Sequence, residues 1–424
     1  MVAQRVRFAA ARPIGTLMLL LRGIEELPVA AARPRPLTIF IIHPSELLTD
    51  HLPHGDGTVA WGFIRELGRR GHRLHVACEK IDLADPLPDN VSLHPIRTRA
   101  RAGAAQTLEY MFACRALFER LRRRTPFDVA HQLNPVFGGL SLALFGAGVP
   151  VILGTYVAAW PCDWDGSPLV ESRLSAQLKR ALLYVQQRSA AALLVTTRAA
   201  LETRIVNTPT IRARVRWQHH GIDAAAFAPA ASARTAALAS ERILFLANVG
   251  IVKGIFPLLE AFVRVRAARP DATLVIAGDG PILAQVRRRI AELGLGAGVD
   301  VLGNVPRGEV ARLMHGSAVY CLPSFGEPYG MSAIEAMAAG LPLVVTDRGG
   351  LAEVADARGA LFVQPGDVAA LADALLTVLA SPERARAMGD HNMRRVREVF
   401  AWSTVVDSLE AAYAGVSGGR EARR

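Results

Sequence analysis

Lysine is scarce in this chain. Among 49 basic residues the only lysines are Lys80, Lys179 and Lys253, and the rest are arginine. An arginine count this high says little about partners, while each lysine becomes more informative. Cysteine is also scarce: Cys78, Cys114, Cys162 and Cys321 lie far apart with no CxxC pair. That argues against zinc ligation and a disulfide framework, and it suits a reducing cytosol. The apolar run Ile14 to Leu21 is too short to span a bilayer, which needs about 20 residues. The phosphate loop GxxxxGK[ST] is absent. "AGDGP" has Leu283 where a dinucleotide fingerprint needs its third glycine, which argues against a nicotinamide or flavin cofactor. No basic stretch is interleaved with aromatics as stacking platforms, so nucleic acid is not expected as a partner.

What is present reads as a globular protein. The chain has 424 residues, 51% of them hydrophobic, enough for two or three domains with real cores. The net charge of +11 suits an anionic partner such as a nucleotide or an anionic membrane surface; a plain surplus of surface arginine explains it equally well. Residues 1–36 form an extension, with Arg5, Arg7 and Arg12 ahead of the apolar run. A secretory signal has this order, but Glu25 and Glu26 stand where small residues would be cleaved. An amphipathic surface-lying segment or a simple extension fits better. "ARPRP" (Ala32 to Pro36) then reads as a linker.

From Leu37 a regular alternation begins. "LTIFII", "HRLHVAC", "FDVAH", "VPVILGT" and "AALLVTT" are short apolar strands separated by helical segments. The loop "PHGDG" (Pro53 to Gly57) precedes a helix with Val59, Phe63, Ile64 and Leu67 on one face. Residues 221–240 contain few large apolar side chains and read as a link. The alternation then restarts with "RILFLANV", "ATLVIAG", "VDVLGNV", "AVYCLP" and "LPLVVT". Continuous apolar strands alternating with helices predict parallel sheets covered on both faces. Two doubly wound halves follow, and ligands of such sheets bind past the carboxyl ends of the strands. The loops 248–254, 278–281 and 325–332 therefore share one rim.

Lys253-Gly254 at a helix start suits a phosphate, although an exposed lysine in a first turn needs no ligand. Gly278 to Pro281 suits an ordinary tight turn. "SAIE" (Ser332 to Glu335) matches a capping box, with Ser332 as the cap and Glu335 three residues on. Glu327 has no such structural explanation. It precedes Pro328, which biases its backbone toward extended, and its two oxygens suit a pair of sugar hydroxyls. Gly330 permits close backbone approach, and the amides of Met331 and Ser332 suit a phosphate. The segment has the layout of a nucleotide-sugar site.

Glu327 and Glu335 with seven residues between them, followed by "AMAAGLPLVVTDRGGLAEV", resemble the donor-binding region of GT4-like retaining glycosyltransferases of GT-B fold. The resemblance runs from about Leu37 to the end and includes "RRGH", "HHGID", "VKG" and "GDGP". It implies an α/β protein of two Rossmann-like domains facing a central cleft: 37–225 for the acceptor, 226–400 for the nucleotide-sugar, and a helix in 401–424 packing back on the first. It implies Glu327, Lys253 and His131 as catalytic residues: Glu327 on the donor sugar, Lys253 on the diphosphate, His131 near the sugar. A core or rim histidine without chemistry is the alternative for His131. It implies that Tyr329, Gly330, Met331 and Ser332 hold sugar and diphosphate, and that Glu335 binds the ribose. Gly303, Asn304 and Val305 would meet the base, with Gly55 and Gly57 near acceptor and phosphates. Family members often carry an arginine where this chain has Asn248, and Arg348 is a candidate substitute.

The expected activity is transfer of a sugar from a nucleotide-sugar to an acceptor hydroxyl, retaining and independent of metal or cofactor. Asp163 and Asp165 in "CDWDG" have DxD spacing but read as turn caps. Alternatives are a sugar-nucleotide epimerase, or a non-catalytic membrane-associated protein of the same fold. The acceptor is a glycan, a lipid-linked sugar or a small molecule. The expected place is the cytoplasm or the inner face of the membrane, and "RALFERLRRR" (Arg115 to Arg124) offers Leu117, Phe118 and Leu121 among arginines for surface contact.

Overall fold

The computed structural model describes residues 35–44, 47–52, 54–100, 103–134, 139–167 and 173–417. The apolar run Ile14–Leu21 lies outside the described residues. The first half holds β1 (Thr38–Ile42), β2 (Leu47–Thr49), β3 (Arg73–Cys78), β4 (Lys80–Asp82), β5 (Val91–Pro95), β6 (Val129–Gln132), β7 (Val151–Tyr156), β8 (Ala192–Val195) and β9 (Val215–Trp217). The second holds β10 (Arg242–Leu246), β11 (Thr273–Ala277), β12 (Val299–Gly303), β13 (Val319–Leu322), β14 (Leu343–Thr346) and β15 (Ala360–Val363).

The first sheet has the order β5-β3-β1-β6-β7-β8-β9 and the second β12-β11-β10-β13-β14-β15. All their pairings are parallel. β2 and β4 pair separately. The central strands are buried along nearly their whole length, because helices cover both faces. In each sheet the winding reverses once, between β1 and β6 and between β10 and β13. These switch points open crevices at the carboxyl ends.

Three sequence expectations need correction here. The helix after β1 begins at Gly55 rather than beyond "PHGDG", because the His54 ring accepts the Gly57 amide at 3.0 Å and caps it. A side chain at Gly57 would stand 2.3 Å from the Leu47 carbonyl, so this glycine serves close packing on β2. The stretch 221–240 is more than a link: it forms helices Ala224–Phe227 and Ala231–Ala239. Ile222 and Phe227 are buried in the second core. In "RALFERLRRR", Leu117 and Phe118 are buried in the first core, and Leu121 packs against it, rather than facing outward.

The chain crosses between halves twice, side by side. The Ile222 amide donates to the Phe400 carbonyl at 2.8 Å. The last helix, Trp402–Ser417, then returns to the first half, where Val405, Val406, Leu409 and Tyr413 join the core formed by Ile39, Ile41 and Phe63. "RRGH" clamps it there. Arg70 reaches Glu410 at 2.7 Å and the Ser403 carbonyl at 2.7 Å. The His72 ring accepts from the Leu37 amide on one nitrogen and donates to Glu410 at 2.8 Å from the other. Burial acts to raise the Glu410 carboxyl, but the bonds from His72 and Arg70 prevail and hold it below its ordinary value.

Candidate active site

The second switch point brings Lys253 and Glu327 together. After β10 the chain makes one turn of 3-10 helix, Ile251–Lys253, and Gly254 follows at φ +73°. A side chain at Gly254 would stand 1.9 Å from the Pro323 carbonyl, so only glycine lets this turn lie against the loop after β13. Glu327 sits in that loop. Its backbone forms a bridge with Gly349, and its carbonyl accepts the Gly350 amide at 2.7 Å. The two side chains meet with Lys253 Nζ 2.5 Å from Glu327 Oε2, and they are 8% and 10% exposed. Glu327 therefore has a structural partner that spacing did not reveal.

Two residues of the first half complete this cluster. Lys253 Nζ lies over the Trp160 ring at 4.4 Å and the Trp164 ring at 5.7 Å. Both belong to the loop after β7. Asp163 and Asp165 in that loop accept the Trp164 and Ser167 amides, which is turn capping.

Beyond Glu327 the chain runs into the helix Met331–Ala338. Its cap is Gly330, at φ +105°. The capping box is overturned. Ser332 lies inside the helix, and its hydroxyl bonds the Tyr320 hydroxyl at 2.7 Å. Glu335 instead faces Arg307, 3.3 Å away. Burial pushes the Glu335 carboxyl up, and the Arg307 charge partly opposes the shift. A cavity of about 280 Å³ opens beside Arg307, and both halves line it, with Thr58, Gly62 and Arg65 facing Met331 and Arg307.

The other rim residues serve in different ways. Gly303 ends β12 at φ +70°, and its carbonyl accepts the Gly278 amide at 2.7 Å; Asn304 beside it is exposed and Val305 partly buried. Side chains at Gly278 and Gly280 would meet the carbonyls of Ala247 and Val249 at 1.9 and 2.2 Å, so "GDGP" lets two loops pack closely. Asn248 is exposed next to Gly280. Arg348 bonds Gln364, just after β15, at 3.1 Å and lies 3.6 Å from Asp347, so its guanidinium is already partnered. Tyr329 is buried, with its hydroxyl accepting the His220 amide at 3.1 Å; its side chain holds the crossing between halves. Gly55 has open space around it.

His131 is not at the site. It is 1% exposed, Nε2 donates to the Gly154 carbonyl at 2.9 Å, and Nδ1 accepts from the Tyr413 hydroxyl at 2.7 Å. Burial lowers its pKa to about 4. Both nitrogens are engaged, so it anchors the last helix. Sequence reasoning passed over Trp160, Trp164 and Arg307. Two of the five tryptophans within five residues of "WPCDW" were a usable signal; Arg307, one arginine among many, offered none.

The chain matches two family profiles: "Glycosyl transferase 4-like domain" over residues 54–205 and "Glycosyl transferases group 1" over residues 233–395. It is 30% identical over 322 residues to MMP alpha-(1->4)-mannosyltransferase of Mycolicibacterium hassiacum, covering 71% of this chain and 74% of that protein. Sucrose-phosphate synthase from Thermosynechococcus elongatus superposes with a TM-score of 0.70 at 21% identity, over 90% of this chain and 100% of that one. The Anabaena protein HepE, solved in complex with UDP, gives 0.67 at 17%, over 89% and 100%. At these identities the structures show the shared fold, GT-B.

Proposed function

The chain belongs to the GT4-like family of GT-B glycosyltransferases, which move a sugar from a nucleotide-sugar to an acceptor, and we propose that it does so with retention of configuration and without a metal ion or cofactor. The observation that carries this reading is the Lys253–Glu327 pair, held at a switch point beside a helix start. In the proposed reaction the bond from the anomeric carbon to the diphosphate oxygen breaks, and the acceptor oxygen bonds that carbon from the same face. The acceptor proton passes to a phosphate oxygen of the leaving group. Lys253 and the amides of Met331 and Ser332 stabilise the charge that develops on the diphosphate. Glu327 holds sugar hydroxyls, Glu335 the ribose, and Gly303 to Val305 the base. Asn248 contributes a polar contact and no charge, so Lys253 is the principal cation for the diphosphate.

HepE was solved with UDP and with UDP-glucose, which supports a screen of uridine diphosphate sugars first, with guanosine diphosphate sugars as the comparison. The test is to incubate donor and acceptor and to read the product anomer by NMR. A product with the donor's anomeric configuration, formed in chelator, is expected. An inverted product, or loss of turnover in chelator, contradicts the proposal.

The protein is further proposed to act in the cytoplasm at an anionic lipid surface. Its described cysteines are free and buried. No helix among the described residues is long and apolar enough to cross a membrane. Leu108 and Phe112 on helix Gly103–Arg122, Phe145, and Leu178, Leu182 and Val185 on helix Arg173–Ser189 are exposed apolar side chains. Arg115 ties the first helix to the Phe145 carbonyl, and Gly139, just ahead of the turn Leu140–Leu144, packs against Leu182. Helix Arg173–Ser189 carries basic residues and no acidic one, so the charge complements anionic headgroups.

A further inference from the structure

The loop 157–167 belongs to the first half by sequence and to the second half by contact. The Ile251 amide donates to the Trp164 carbonyl at 2.8 Å, and the Ala158 amide to the Pro328 carbonyl at 3.4 Å. Gly250 and Gly326 make room for it: side chains there would stand 2.7 Å from the Trp164 ring and 3.1 Å from Pro161. Both flank the Lys253–Glu327 pair in sequence. The backbone of this loop is thus fastened at both ends of the site, and its two indoles, with centroids 5.0 Å apart, are pressed over Lys253.

Lys253 therefore has two kinds of partner, a carboxylate and two aromatic faces. An indole face attracts a cation through its quadrupole, more strongly where water is excluded. A diphosphate offers more negative charge than either partner, so its arrival draws the ammonium away and bares the indoles. What then lies beside Glu327 is an apolar aromatic surface next to a hydroxyl-binding carboxylate. A pyranose presents matching surfaces, with C–H groups on its face and hydroxyls at its edge.

We propose that Trp160 and Trp164 position the donor: in the free protein they hold Lys253 in an aromatic and carboxylate cage, and in the donor complex the face Lys253 leaves packs against the transferred sugar. This rests on the nucleotide-sugar reading of the same site. The cage makes opposite predictions for two ligands. A nucleoside diphosphate must break the cage and gains no sugar stacking. A nucleotide-sugar breaks the cage and gains the stacking.

The test uses the full chain with Trp160→Leu, Trp164→Leu and the corresponding phenylalanine substitutions. UDP and GDP, and UDP-glucose and GDP-mannose, are titrated by calorimetry, with tryptophan emission followed in parallel. Both leucine variants are expected to bind the diphosphate at least threefold tighter and the sugar conjugate at least threefold more weakly. Phenylalanine should restore both values toward the parent. The diphosphate alone should change the emission of the parent protein, and that change should shrink in the leucine variants. Affinities for both ligands that fall together, or that stay unchanged in variants with the parent's melting temperature, overturn the inference and leave the donor reading standing. A parent protein that binds none of the four ligands overturns both.

Discussion

Replacing Glu327 by alanine strands the Lys253 ammonium. The two side chains are 10% and 8% exposed, so the charge left behind has little access to water. Removing one member of a buried pair typically costs about 3–5 kcal/mol, because the other charge stays uncompensated. The indole faces of Trp160 and Trp164 hold the ammonium in the parent as well as in the variant, so they do not offset that loss. In a domain of this size each kcal/mol moves Tm by about 2–4 °C, so Tm should fall by roughly 6–20 °C. Removing both charges removes the cause. Glu327→Gln combined with Lys253→Met should therefore melt closer to the parent than Glu327→Ala does, while remaining inactive in sugar transfer. Differential scanning calorimetry of the parent, Glu327→Gln, Lys253→Met and the double variant gives the cycle, with Glu327→Ala measured beside it. A Glu327→Ala protein that melts with the parent, or a double variant less stable than either single one, refutes the stranded-charge argument.

Glu335→Gln should leave Tm within about 2 °C, since a half-exposed arginine partner is worth little, and should raise donor KM severalfold; a lower Tm with unchanged KM would make Glu335 purely structural. Burial lowers the pKa of His43, His131 and His219 to about 4 and that of His220 to about 3, from 6.5. Between those values and 6.5 the unfolded chain binds protons that the folded one refuses, so the stability these groups contribute is present above pH 6.5 and is lost as pH falls toward 4. Urea unfolding across that window should report uptake of about three to four protons at pH 5 from these groups, and a flat profile contradicts their burial as neutral rings. Vesicles with anionic lipid should bind the protein in a salt-sensitive way, and Phe112→Ser or Leu178→Ser should weaken that binding; equal binding to neutral vesicles, or none, removes the membrane contact.

The architecture was legible because parallel strands are buried on both faces. β1, β7, β8, β10, β11, β13 and β14 all appear as continuous apolar runs, and β3, β6 and β12 as runs with one or two polar residues, β12 at a sheet edge with Asp300 exposed. β4 is exposed along its length, while β5, β9 and β15 lie at sheet edges or carry mixed residues, so that signal was missing. Order along the chain placed Lys253 and Glu327 on one rim. Their contact was not legible, because it joins residues 74 apart through a glycine turn that only the fold explains. "SAIE" failed as a cap for a local reason: Gly330 takes the left-handed conformation and starts the helix before Ser332. His131 sat at a strand end as expected, but no local pattern shows that the last helix covers it. The tryptophans above Lys253 belong to the other half, and only the closing of two sheets on one cleft brings them there.

The central claim is that Lys253 is the cation that receives a nucleoside diphosphate. Calorimetric titration of UDP and GDP into the parent and Lys253→Ala tests it directly. A charge-assisted contact is worth about 1.5–3 kcal/mol, so affinity for whichever diphosphate binds the parent should fall about 10- to 150-fold, and Asn248→Arg in the same background should recover part of it. Equal affinity in parent and Lys253→Ala, both folded, would contradict the account.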